Sequence, residues 1–206
     1  MPAGAFDLPS GCRGWLVRDL ASHLVIDAQD VLITLATPAE DAPTADALSY
    51  WTPTPTPPDR TDPHDALTVR LAAAYEDPDL LKGHLEDLGG AAERAAPLAE
   101  PDLPVAIQGM SLTVRDFLHA YVLEWTSHHL DLVAHLDPED APAPPPVEGL
   151  AEARDMVERR LRARLPAGWA DADARAWRLG ARRSPMRGGP SSASSARAGR
   201  SPLSFG

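Results

Sequence analysis

Glu124 and His128 stand four residues apart in a segment, Val114 to Leu136, whose apolar residues recur at helical spacing. At about 100° per residue this places a carboxylate and an imidazole on one face of a helix, a turn apart, where both reach one cation. His23 lies at the border of an earlier apolar face set by Leu16, Leu20, Leu24 and Val31. Packed helices run about 8–10 Å apart axis to axis, so a histidine from one and a Glu/His pair from the other can meet on a shared divalent ion. Three protein ligands leave a coordination position open, as catalytic zinc sites do. Burying a carboxylate and imidazoles alone is costly, and a metal is one way to compensate them. Asp27 and Asp131 share these faces and are placed to orient the imidazoles.

The same spacing also suits a surface ion pair, and an interior histidine is more often hydrogen-bonded than metal-bound. Rival ligands stand close by in His129, adjacent to His128, and in His135, two turns further along the stripe. His64, His84 and His119 read as loop or surface residues. Cys12 has neither histidine nor lysine beside it in the sequence, which favours an inert structural role over a reactive thiolate. Trp15, Trp51 and Trp125 could line a pocket at the ion, although large aromatics on helical apolar faces are usually core. Arg18 and Arg70 could hold a carboxylate substrate, but Arg18 projects away from the apolar stripe, which favours surface or ion-pair roles.

The elements that must position these residues are helices. The first runs from about Trp15 to Ala36 and stops at Thr37-Pro38, because a residue before proline is driven out of helical geometry. Residues 38–63 are rich in proline, threonine and aspartate and predict an extended loop. A second helix starts at Pro63 or Asp65 and reaches Tyr75; a third covers Asp79 to Ala95 after the break at Asp77-Pro78, weakened by Gly89-Gly90. The segment bearing Glu124 and His128 starts at a Thr113/Asp116 pair that resembles a capping box, and Asp137-Pro138 closes it. A proline-rich linker then precedes a charged amphipathic helix, Glu148 to Leu165. The expected organisation is a helical bundle over 1–137, a linker over 138–147, a C-terminal helical segment over 148–178, and a disordered Arg/Ser/Gly-rich tail over 179–206.

Composition narrows the function classes. With 206 residues and 44% hydrophobic residues the chain can bury a core. A net charge of -11 argues against binding nucleic acid or an anionic membrane surface, since the body of the chain has little with which to neutralise phosphates. No stretch approaches the ~20 apolar residues of a membrane span. The single cysteine excludes an intrachain disulfide and fits a reducing, cytoplasmic setting.

Several motifs act together. Cys12-Arg13-Gly14-Trp15, Val17-Arg18-Asp19-Leu20 with His23-Leu24, Ser49-Tyr50-Trp51, Asp116-Phe117-Leu118, Glu124-Trp125-Thr126 and His128-His129-Leu130-Asp131-Leu132 resemble the mycothiol-dependent maleylpyruvate isomerase family of the DinB-like superfamily, over roughly residues 8–137. The resemblance implies an all-α, four-helix bundle in which His23, Glu124 and His128 bind a divalent ion, zinc in the better-known members. It also implies use of the low-molecular-weight thiol mycothiol, whose thiolate adds to the cis double bond of a small electrophile such as maleylpyruvate, permits rotation and leaves. Two departures qualify it. Only eleven residues precede Cys12 where relatives carry a full helix, so the first helix is expected to be truncated, exposing apolar surface on the others. Ala120-Tyr121 replaces a Thr-Arg pair common in relatives. The basic tail is what GC-rich coding sequence yields out of frame, which predicts a family-like segment in another frame; a natural basic tail that binds an acidic partner is the alternative. A non-catalytic metal-binding helical module, and a metal-free structural bundle, stay open beside the enzyme reading.

Overall fold

The computed structural model describes residues 1–50 and 63–166. Trp51, the rest of the Pro/Thr-rich stretch to residue 62, and the tail over 179–206 lie outside them. Five α-helices and one hairpin carry the described chain: α1 (Val17–Leu35), α2 (Pro63–Ala74), α3 (Pro78–Ala95), β1 (Pro104–Ile107), β2 (Met110–Thr113), α4 (Val114–Val133) and α5 (Val147–Leu161). This is the expected all-α bundle with one small antiparallel addition. Ahead of α1 stands a 3₁₀ turn, Ala3–Asp7, whose Ala5 and Phe6 are buried.

α1 packs against α2, α3 and α4, and α5 packs against α4. The apolar faces close into two cores. One joins α4 and α5 to the hairpin through Phe117, Tyr121, Leu112, Val105, Ala153 and Met156. The other joins the first half of α1 to the amino-terminal turn and α3 through Phe6, Trp15, Leu20, Val25 and Leu81, and reaches the end of α4 at Leu132. Each fully buried large side chain contributes roughly 1.5–3 kcal/mol.

The hairpin was not expected from the helical pattern, and it fixes where α4 begins. Val105 pairs with Leu112, and both are wholly buried. Gln108 and Gly109, between the strands, both have positive φ, 51° and 77°, as two-residue hairpin turns of the primed type require. The last strand residue, Thr113, is also the N-cap of α4. Its hydroxyl oxygen accepts from the Asp116 N–H at 3.0 Å and donates to the Asp116 carboxylate at 2.8 Å. The expected Thr113/Asp116 pair therefore forms, with the carboxylate taking the hydroxyl proton. Thr113→Ala is expected to lower stability by about 1 kcal/mol, read as a shifted urea midpoint at unchanged slope.

The helix ends differ from the sequence expectation. α4 stops at Val133, short of Asp137-Pro138, so the stripe does not carry His135 to the site; His135 is exposed. α5 stops at Leu161 rather than Leu165, because Arg162 turns left-handed with φ 51°. The Glu158 carboxylate holds the chain beyond that turn, accepting from the Leu165 N–H at 3.0 Å and from Arg164 at 2.7 Å.

Candidate metal centre

His23 sits on the second turn of α1. The helix start is set by the buried Asp19, whose carboxylate accepts the Leu16 N–H at 2.9 Å. On α4, Glu124 and His128 face α1 from successive turns. His128 Nε2 lies 3.0 Å from Glu124 Oε1, and His23 Nε2 lies 3.6 Å from the same oxygen. The two imidazoles meet edge to face, centroids 4.8 Å apart at 86°. Trp15 leans on His23 with ring centroids 5.3 Å apart. The structure thus brings together the three residues singled out in the sequence, and their ligand atoms all lie within 4.8 Å of one another.

The donor set fits a divalent ion. Bonds of about 2.0–2.1 Å in tetrahedral geometry separate neighbouring ligand atoms by roughly 3.3 Å, close to the 3.0 and 3.6 Å found here. His23 Nε2 is buried and has no hydrogen-bond partner among the described residues, though the carboxylates of Glu124 and Asp27 stand near it, the latter at 3.5 Å. Such a nitrogen gives up water for long contacts with carboxylates alone, a cost that a bound cation removes.

Electrostatics hold the protein's own charges in readiness. Burial works against a charged Glu124, but the His128 and His23 imidazoles outweigh it and hold the carboxyl well below the usual carboxylate range. Burial likewise works against a charged His128, yet the Glu124 carboxylate, with Cys12 contributing, holds it well above the ordinary histidine value. Without an ion, the pair is a carboxylate and an imidazolium.

The remaining candidates fall elsewhere. His129 is not among the residues whose ligand atoms converge, and burial pushes its pKa down, opposed by a backbone hydrogen bond with Ala143. His84 is held by the Tyr75 hydroxyl at 2.5 Å. His119 pairs with Glu152 at 2.6 Å across α4 and α5. Arg18 is half-buried and pairs with Asp7 at 2.9 Å, and Arg70 is exposed. Trp125 packs edge-on against Tyr121, centroids 6.2 Å apart.

The structure gives Cys12 partners that the sequence does not show and keeps it an unreactive thiol. No basic residue adjoins it along the chain, but its Sγ stands 3.5 Å from His128 Nδ1 and 3.3 Å from Asp131 Oδ2. The partner is 116 residues away, beyond the reach of a local motif. Burial pushes the Cys12 thiol up, with Asp131 adding to the rise and His128 opposing it, so the sulfur keeps its proton. Asp131, expected to help orient the imidazoles, meets the Cys12 sulfur that stands beside His128 Nδ1.

The loop is seated by Gly11, whose N–H donates to the Asp131 carbonyl at 2.7 Å. A β-carbon at Gly11 would stand 2.4 Å from Asp131 Oδ1 and 2.9 Å from its Cα. Gly11→Ala is therefore expected to push the loop off α4, destabilising the protein by about 1–3 kcal/mol in thermal or urea unfolding.

A family model described as the mycothiol maleylpyruvate isomerase N-terminal domain matches residues 1–133. The chain belongs to that family. The part matching the mycothiol maleylpyruvate isomerase N-terminal domain ends with α4 and contains His23, Glu124, His128, Cys12 and Asp131. No curated protein and no solved structure gives a significant match to the chain. Among the described residues, no helix is long and apolar enough to cross a membrane.

Proposed function

We propose that this protein binds a divalent ion, zinc, through His23, Glu124 and His128, and acts as a mycothiol-dependent isomerase or thiol transferase on a small electrophile of the maleylpyruvate kind. The observation that carries the reading is the convergence of two imidazoles and a carboxylate from α1 and α4 within 4.8 Å, inside the stretch that matches the family. A bound zinc ion with an open position supplies Lewis-acid activation of a thiol, lowering its pKa into the neutral range. The chain's own residues do the rest. Glu124 bridges the two helices and would offset one of the ion's two positive charges, Trp15 and the buried flank of α1 exclude water from His23, and Asp27 faces the same His23 nitrogen as Glu124, at 3.5 Å. A small-molecule thiol and substrate in the cytoplasm are the expected partners.

Metal analysis of the purified protein beside a His128→Ala variant tests the site. About one equivalent of zinc, lost in the variant, supports it, and equal trace metal in both rejects it. Mycothiol-dependent turnover of maleylpyruvate by the zinc-loaded protein then tests the enzyme. A loaded protein without turnover would instead be a non-catalytic metal-binding module.

A further inference from the structure

We infer that Cys12 is a positioning residue for the metal centre: a chain from Asp131 through the Cys12 thiol to His128 Nδ1 fixes the imidazole so that Nε2 faces Glu124 and His23. The inference rests on the metal-site reading and deepens it. His128 has one nitrogen on each side of its ring, and the structure gives each a different set of neighbours. Nε2 faces Glu124 at 3.0 Å, and Nδ1 faces Cys12 Sγ at 3.5 Å. A ring nitrogen that binds a cation must be unprotonated, so the other nitrogen carries the proton and needs an acceptor. Sulfur supplies it. The thiol's own proton goes to Asp131 Oδ2 at 3.3 Å, which leaves a sulfur lone pair directed at the Nδ1 proton.

The surrounding loop is shaped to hold the sulfur there. The Cys12 N–H donates to Ser10 Oγ at 3.2 Å, and the Ser10 hydroxyl donates to the Trp15 carbonyl at 3.0 Å. Gly11 clamps the loop to the backbone of Asp131 itself, so acceptor and thiol are fixed to the same turn of α4. Cys12, His128 and Asp131 also lie close enough to hold an ion of their own. Two features favour the hydrogen-bonded chain. The sulfur is bonded to both neighbours at once, and the imidazole's opposite edge already faces Glu124 and His23.

The test uses the full chain and cobalt(II) alone, followed by visible absorption and chelator competition, with histidine ¹⁵N NMR of the zinc-loaded protein. Wild type is expected to take up one cobalt without a near-ultraviolet thiolate-to-metal charge-transfer band, and the NMR should show His128 protonated at Nδ1 and metal-bound at Nε2. Cys12→Ala and Asp131→Ala are expected to weaken binding by about 10–100-fold. Cys12→Ser, whose hydroxyl repeats the donor and the acceptor, should recover most of the Cys12→Ala loss. A thiolate charge-transfer band, metal on Nδ1, or wild-type affinity in Cys12→Ala overturns the inference. Should a variant fail to fold, the wild-type spectra still decide. A His23→Ala control separates the two readings: if it binds cobalt as wild type does, or if neither binds, the metal site itself fails and the inference with it. If only His23→Ala loses cobalt and Cys12→Ala does not, the inference alone fails.

Discussion

Glu124→Gln is expected to weaken zinc or cobalt binding by on the order of a hundred- to a thousandfold, measured by chelator competition. Glu124 approaches both imidazoles through a single oxygen, with Oε1 at 3.0 Å from His128 and 3.6 Å from His23. Four-ligand structural zinc sites gather about 10–16 kcal/mol, or roughly 3 kcal/mol per ligand, and each 1.4 kcal/mol is about tenfold in affinity. Glutamine keeps the volume and one oxygen, so the effect isolates the carboxylate's charge from packing. The metal-free protein should respond as well. Removing one member of a buried ion pair typically costs about 3–5 kcal/mol because the other charge is stranded. Here His128 can shed its proton, so the loss should be smaller and confined to pH values at which His128 would otherwise be charged. Unchanged metal affinity in Glu124→Gln would remove Glu124 from the site.

The parts of this centre differ in how far the sequence disclosed them. Glu124 and His128 are four apart on a helix whose cap, Thr113, and apolar face can be read directly, so their common face follows from helical geometry alone. His23 comes from another helix. Pattern places it at the border of an apolar face, but its meeting with Glu124 depends on how α1 crosses α4, and only the family motifs selected it over His129 and His135. His135 falls beyond the end of α4 at Val133, and His129 lies one residue, about 100°, around from His128. The contacts of Cys12 with His128 and Asp131 cannot be read along the chain, because they form only when the loop folds back through Gly11 onto Asp131. The hairpin was missed although its signals are present. Val105, Ile107 and Leu112 mark its buried positions, and Gln108-Gly109 supplies the turn, but four-residue strands between helices give little periodicity to detect. Elements set by one strong local signal were legible, and those that rest on contacts across the fold were not.

Metal binding is expected to strengthen about tenfold per pH unit as pH rises from roughly 5 toward the raised pKa of His128, each ion displacing the proton that the imidazolium carries. The sign follows from the pair's own charges. His128 is held above its ordinary value by Glu124 despite burial, so near neutrality the metal-free site binds a proton where the ion must go. Glu124 is held below the carboxylate range, is ionised throughout this window and adds no slope. The same shifts shape stability without metal. Glu124 contributes stability that is present above its unfolded value of about 4.3 and lost as pH falls through its depressed folded value. His128 contributes stability present below its unfolded value of about 6.5 and lost as pH rises through its raised folded value. Both describe one ion pair, so the metal-free domain should be most stable between those unfolded values, in mildly acidic solution, while the loaded domain should gain toward alkaline pH. Calorimetric titration in buffers of different ionisation enthalpy would count the released proton, and thermal melts of both forms from pH 5 to 8 would show the opposite trends. A pH-independent affinity across that range would mean that His128 carries no proton the ion must displace, and would remove the imidazolium from the metal-free site.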